Sequence, residues 1–194
     1  MDPSAAGRRR ISPEQRRAKR AAVSEPDVVM EAAAAFLAVR PRSVAETRLR
    51  LRHLGYRHDL VDQVLQRLVG LGYLGDEVFA RVWVESRDRA RPRGESALRR
   101  ELSLKGVERE TVAHVLEGRQ AAAMDDRTSP SPDRAAAGQL IARRLGSLMR
   151  ETDARKRRHK AYALLARNGF DPETCHEVAR QAVPLTPDGH GPAD

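Results

Sequence analysis

Arg40-Pro41-Arg42-Ser43 and Arg91-Pro92-Arg93-Gly94 are near copies of one tetrapeptide, and their prolines stand 51 residues apart. A second pair of landmarks keeps that spacing: the glycines of His53-Leu54-Gly55-Tyr56 and Leu104-Lys105-Gly106-Val107 are also 51 residues apart. Apolar positions follow in register, Leu51 with Leu102, Val61 with Val112, Val64 with Val115 and Leu65 with Leu116. An offset that holds across a whole unit marks a repeat architecture. A third copy centres on Arg167-Asn168-Gly169-Phe170, 63 residues beyond Gly106. Leu165, Cys175 and Val178 take the positions of Leu102, Val112 and Val115, and Arg155-Lys156-Arg157 replaces the Arg-Pro-Arg element.

Each unit reads as three short helices. In the first, Val28, Val29, Ala33, Phe36 and Leu37 give a helix over 28–39. Pro41 ends it, because the residue before a proline is pushed out of the α region. Ser43-Val44-Ala45-Glu46 matches a capping box and starts the second helix. Gly55 fits the left-handed turn that closes it, and Asp59 is expected to cap the third, where Leu60, Val61, Val64, Leu65 and Leu68 form one stripe. In the second unit, Asp76 is expected to cap a helix carrying Phe79, Val82 and Trp83. A second helix holds Leu98 and Leu102, and a third runs from Glu110 to Glu117. The last unit has helices at 134–150 (Leu140, Ile141, Leu145, Leu148), up to Gly169, and from Asp171-Pro172 to about 182. Proline suits the first helical position.

These readings give an all-α fold: tandem three-helix units, helix-turn-helix-like, forming an elongated, curved array. The expected divisions are a basic disordered N-terminal arm at 1–26, repeats at 27–73 and 74–119, a linker at 120–132, a third repeat at 133–183 and a disordered tail at 184–194. The arm holds Arg8-Arg9-Arg10 and Arg16-Arg17-Ala18-Lys19-Arg20 and has little apolar surface to offset its ordering entropy. A three-helix unit alone buries too little surface to be more than marginal, so stacked copies are expected to share a continuous apolar interface. The Ser129-Pro130-Ser131-Pro132 linker is expected to loosen the third.

The chain's 194 residues carry a net charge of +9. That excess draws a polyanion, be it nucleic acid, an acidic membrane face or a nucleoprotein filament; a solvated basic surface is the alternative. No apolar run is long enough to span a bilayer, and the basic N-terminus lacks the apolar core of a secretory signal. A cytoplasmic protein is expected. Arginines recur where helices one and two meet: Arg40, Arg42, Arg48 and Arg50; Arg87, Arg89, Arg91, Arg93, Arg99 and Arg100; then Arg155, Lys156, Arg157, Arg158 and Lys160. Parallel stacking would align them as a stripe for a polyanionic partner. The bland alternative is a set of separately solvated loops.

Catalytic chemistry finds little support. The six histidines show no HExxH or zinc-finger spacing, and neither metal nor cofactor is expected. Cys175, the sole cysteine, reads as a small buried apolar residue. No phosphate loop, dinucleotide fingerprint or nucleophile elbow is present. The third helix of the first unit presents Asp62, Gln63, Gln66 and Arg67, a mixed face that suits major-groove reading poorly.

The stretch Leu71-Gly72-Tyr73-Leu74-Gly75-Asp76-Glu77-x-Phe79-Ala80 continues through Arg87 and Arg91-Pro92-Arg93-Gly94 to Leu98, Leu102 and Lys105-Gly106-Val107. It resembles the core of the RecX family, and Arg40-Pro41-Arg42-Ser43-x-x-Glu46 with Gly55-Tyr56 is similar to that family's first repeat. The resemblance covers about 28–118 well and 133–183 more weakly. It departs in the long basic arm, the linker at 120–132, and Gly75 where Asn or Asp is frequent. It implies three tandem three-helix repeats, binding along a RecA–DNA filament, and modulation, usually inhibition, of ATP hydrolysis, strand exchange and co-protease activity by RecA in DNA recombination, repair and the SOS response. It implies no catalytic residues. The filament- or DNA-facing set is expected to include Arg40, Arg42, Arg87, Arg91, Arg93, Arg99, Arg100, Arg155, Lys156, Arg157 and Arg158, with a monomer the simplest state. Three alternatives remain: a stand-alone tandem helix-turn-helix DNA-binding protein without RecA dependence, a metal-dependent nuclease using Asp76 and Glu77, and a pure scaffold protein with another partner.

Overall fold

A computed structural model describes residues 12–124 and 130–183. Arg8, Arg9 and Arg10, Asp125 and Asp126 of the linker, His190 and the tail at 184–194 lie outside the described residues. Within them the chain forms ten helices and no strand. They fall into two compact units, Met1–Gly75 and Asp76–Asp194.

The first unit holds α1 (Pro13–Ala21), α2 (Pro26–Leu37), α3 (Val44–Leu54) and α4 (His58–Gly70). Val29 and Ala33 of α2 meet Leu51 of α3 and Leu60, Val61, Val64, Leu65 and Leu68 of α4 in one core, closed by Tyr56 and Leu74. Local chemistry sets the ends of α3. The Ser43 hydroxyl accepts from Glu46 N at 3.0 Å, and the Glu46 carboxylate accepts from Ser43 N at 3.3 Å. Gly55 turns left-handed at φ 104°, which lets Tyr56 N donate back to Leu51 O at 3.3 Å and drop its ring into the core. Asp59 does not cap α4. Arg57 holds the N-cap position without a side-chain cap, and Asp59, the second residue of the helix, pairs with the Arg57 guanidinium.

Helix α1 corrects the expectation of an unfolded arm through residue 26. The Ser12 hydroxyl accepts from Gln15 N at 3.1 Å, Gln15 Oε1 accepts from Ser12 N at 2.9 Å, and Pro13 sits in the first turn. This capping box satisfies two of the amides that a helix start leaves open. The helix buries none of its own residues. It is held by Arg20, whose guanidinium donates to Leu54 O at 3.4 Å and lies 6.0 Å from the Tyr56 ring.

The second unit contains two repeats: α5 (Asp76–Ala90), α6 (Glu95–Leu104) and α7 (Arg109–Met124), then α8 (Pro132–Leu148), α9 (Ala154–Arg167) and α10 (Pro172–Ala182). Each has its own core. Phe79, Ala80, Val84, Leu98, Leu102, Val107, Val112, Val115 and Leu116 form one. Ala136, Ala137, Ile141, Leu148, Ala161, Leu165, Phe170, Cys175, Val178, Ala179 and Val183 form the other. Among the described residues these two cores stay separate and do not merge into the expected continuous apolar interface. Val82 and Leu145, expected inside, are each 40% exposed, because the stripe of α5 runs through Val84 and that of α8 through Ile141 and Leu148.

Polar contacts between backbones join the two repeats. Gly94 N donates to Asn168 O at 3.0 Å, and the Ser96 hydroxyl to Gly169 O at 2.7 Å. A Cβ on Gly94 would lie 2.2 Å from Gly169 O, so glycine is required there for space, its φ of −75° being ordinary. Arg143 of α8 donates to the carbonyls of Arg89 and Ala90 at 2.8 and 2.6 Å, which satisfies the open C-terminal end of α5. The third repeat is thus tied to the second, where the linker was expected to loosen it.

Gly94→Ala should destabilise the chain by about 1–3 kcal/mol through overpacking. Gly118→Ala, in the middle of α7 where an added Cβ meets nothing within 4 Å, should stabilise it by about 0.5–1 kcal/mol. Urea unfolding followed by circular dichroism reads both, and opposite signs are the expected result.

Candidate functional site

The structure sorts the expected site residues into two sets. The first is used inside the fold. Arg40 pairs with Glu46 at 3.2 Å. Arg87 donates from Nε to Glu101 Oε2 at 2.6 Å while its guanidinium carbon lies 4.4 Å from the Trp83 ring. Arg93 reaches Glu101 Oε1 at 3.4 Å and donates to the Asn168 side chain across the junction. Arg99 pairs with Glu95 one turn back at 2.7 Å. Arg157 donates to the carbonyls of Glu151 and Thr152, and Arg158 to Val183 O, so both tie chain ends to α9. Arg42 stacks on the Phe36 ring with its guanidinium carbon 4.1 Å from the centroid.

The second set is Arg91, Arg100, Arg155 and Lys156. All four are exposed, and their side chains make no hydrogen bond or ion pair with another described residue. Arg91 lies in the α5–α6 turn, Arg100 on the outer face of α6, and Arg155 and Lys156 on the first turn of α9. Solvated cations of this kind remain available to a partner without loss of internal contacts, whereas the first set is already committed, Arg42 apart, which has a ring contact but no hydrogen bond at its Nε.

Sequence reasoning missed the most buried charged cluster. Arg119 of α7 grips Asp88 of α5 with two bonds, at 2.9 Å from Nε and 2.8 Å from Nη2. Its Nη1 donates to Asp133 of α8 at 2.6 Å. The other Asp133 oxygen accepts from Glu95 N, the first amide of α6, at 2.9 Å. Asp133 therefore caps a helix from a different repeat, in place of the side chain that Gly94 lacks. The Arg119 and Asp133 side chains are only 9% and 10% exposed. Burial by itself would lower the Arg119 pKa, but the hydrogen bonds it donates to Asp88 and Asp133, with the attraction of both carboxylates, more than offset this and hold it above the ordinary guanidinium value. At the 51-residue offset these positions are Leu37 and Leu68 in the first repeat, both in or against its core. An ion pair has replaced an apolar contact, and no spacing rule announces that.

Other groups with possible chemistry are engaged elsewhere. Cys175 is fully buried, donates to Phe170 O at 3.5 Å, and has its thiol pushed up to about 11, by burial first and by Asp171 second. It is no thiolate near neutrality. Glu77 pairs with Arg81 at 2.7 Å. Among the described residues no group of three His, Cys, Asp or Glu side chains comes together to hold a metal, and no helix is long and apolar enough to cross a membrane.

Arg119→Met should leave two carboxylates without their cation and destabilise the chain by roughly 3–5 kcal/mol, read as a lowered urea midpoint. A midpoint within experimental error of the parent would show that the network contributes nothing net.

Comparison with known proteins agrees with this architecture. Residues 30–68 match the family model described as RecX, first three-helix domain, and residues 76–116 the one described as RecX, second three-helix domain. The regulatory protein RecX of Thermobifida fusca is 32% identical over 144 residues, which is 74% of this chain and 72% of that protein. Those of Mycobacterium leprae and Mycobacterium ulcerans are 34% and 35% identical over the same length, 78% of each. Among solved structures, RecX from Lactobacillus salivarius superposes with a TM-score of 0.67 at 16% identity, covering 81% of this chain and 96% of that one. At that identity the superposition speaks for the fold alone. With the sequence relatives, the two matched domains and the repeated helical units all in agreement, the chain belongs to the RecX family of regulatory proteins.

Proposed function

We propose that this chain is a non-enzymatic regulator that binds RecA filaments on DNA and lowers their ATP turnover, strand exchange and co-protease activity. The observation that carries the reading is the set of uncommitted cations on a family-typical repeat scaffold: Arg91, Arg100, Arg155 and Lys156 each offer a solvated charge. A filament repeats its acidic and phosphate groups at regular intervals, so a chain of repeats meets it at several points at once. Linked contacts bind far more tightly than any one alone. Contacts to neighbouring protomers would restrain the rearrangements that accompany ATP turnover.

The alternative is a DNA binder that acts without RecA. The mixed face of α4 favours the filament reading. Its Asp62 is paired with Arg48 and Arg52 at 3.0 and 3.2 Å, and Arg67 with Asp27 at 3.3 Å, which leaves Gln63 and Gln66 as the exposed side chains of that face suited to base edges.

Titrating the protein into RecA's DNA-dependent ATP hydrolysis separates the two. Inhibition well below one copy per RecA protomer is expected; inhibition only once the DNA is coated would sink the filament reading. Replacing Arg91 and Arg100 together by Glu should weaken filament binding about tenfold or more with the helical circular dichroism unchanged. Undiminished affinity in that variant would remove these two residues from the interface.

A further inference from the structure

The first two repeats place different side chains at three equivalent corners. At the 51-residue offset Phe36, Arg42 and Arg50 correspond to Arg87, Arg93 and Glu101. In the second repeat Glu101 is the centre of the group. Its Oε2 accepts from Arg87 Nε at 2.6 Å and from Trp83 Nε1 at 3.0 Å, and its Oε1 lies 3.4 Å from Arg93 Nε. A carboxylate thus sits beside an aromatic ring and two guanidinium groups.

The first repeat also brings one ring and two guanidinium groups together, from different positions, with Arg50 standing where Glu101 does and no such carboxylate among them. The guanidinium carbons of Arg42 and Arg50 lie 4.1 and 5.8 Å from the Phe36 centroid. Neither side chain forms an ion pair with a described residue. Arg42 Nε is buried and has no hydrogen-bond partner. Arg52 and Arg93 also have an unpartnered Nε, yet Arg52 reaches Asp62 at 3.2 Å through Nη2, and Arg93 reaches Glu101 at 3.4 Å. Arg42 alone of the three touches no carboxylate. The nearby acid, Glu46, is engaged by Arg40 at 3.2 Å and by Ser43 N at 3.3 Å. Desolvation, then the neighbouring Arg40, hold the Arg42 pKa below its ordinary value, with Glu46 opposing and Arg50 adding to the effect. A buried donor left without an acceptor is costly, the neighbouring guanidinium groups repel one another, and a carboxylate arriving at the accessible outer nitrogens of Arg42 would offset that repulsion.

We propose that Arg42, Arg50 and Phe36 form a receiving site for a carboxylate side chain of an acidic protein partner, which would take the charge-matching role that Glu101 has in the second repeat. The repeat's own occupant is a glutamate, which favours a protein carboxylate over a nucleic-acid phosphate. The identity of that partner as the RecA filament rests on the function proposed above; the site itself does not.

The test uses the full chain labelled at arginine and two probes, hexaglutamate and hexathymidylate. The Nε–H resonance of Arg42 should move and saturate with hexaglutamate and respond more weakly to hexathymidylate. The Arg42→Gln, Arg50→Gln double variant should bind RecA–DNA filaments at least about tenfold more weakly while binding naked single-stranded DNA as before. An Arg42 resonance that hexaglutamate leaves unmoved overturns the site, as does a variant that binds the filament like the parent. Equal losses toward filament and naked DNA also overturn it, marking a phosphate contact. Should the parent chain ignore the filament yet saturate with hexaglutamate, the site stands and the RecA reading falls.

Discussion

The unit from Asp76 onward depends on one buried guanidinium. Arg119 holds Asp88 and Asp133, and Asp133 in turn holds the first amide of α6, so four helices from two repeats converge on a single charge. Buried ion pairs contribute little net stability compared with a well-packed apolar contact, because desolvation consumes most of the attraction. They are strict about geometry, however. The first repeat places Leu37 and Leu68 at the corresponding positions, and leucines tolerate sliding that a two-bonded Arg–Asp pair does not. The exchange of apolar for ionic contact therefore fixes register at the junction between the second and third repeats more than it adds strength.

That junction is built unlike the repeats it joins. Inside each repeat the chain is held by aliphatic side chains. Between them the contacts are backbone amides, carbonyls and charged groups, brought close by the absence of a side chain at Gly94. The arginines follow the same division of labour. Many of those at helix ends and junctions neutralise carbonyls and carboxylates of the chain itself, while others, Arg91 and Arg155 among them, face solvent. A count of basic residues in this sequence overstates the surface charge offered to a partner, since many of the charges are already matched.

What the sequence made legible is what arises from residues close together. The Ser43–Glu46 box, the left-handed Gly55 and the helix opening at Asp171-Pro172 each act over a few positions, and each appears as expected. The repeat register was legible because two copies share one offset. Helix α1 escaped because composition was weighed above pattern: Ser12 and Gln15 have the spacing of a capping box inside an Arg-rich stretch. Asp59 was misread because its partner, Arg57, stands two residues before it and competes for the carboxylate. The Asp133 cap on α6 was out of reach, since 38 residues separate donor from acceptor. The sorting of arginines into committed and solvated groups likewise depends on contacts across helices that no local pattern encodes.

The separateness of the hydrophobic cores has a consequence for how the chain is made. Each core draws its side chains from a short continuous stretch, such as Phe79 to Leu116 or Ala136 to Val183. Local contacts close small loops and form quickly. A nascent chain leaving the ribosome can therefore complete the second repeat before Asp133 has emerged. The Arg119 guanidinium then waits in water, paired with Asp88 alone, until the next helix emerges to cover it. The order of synthesis matches the order of assembly, and the register-setting charge network closes last, after both of the elements it must align already exist.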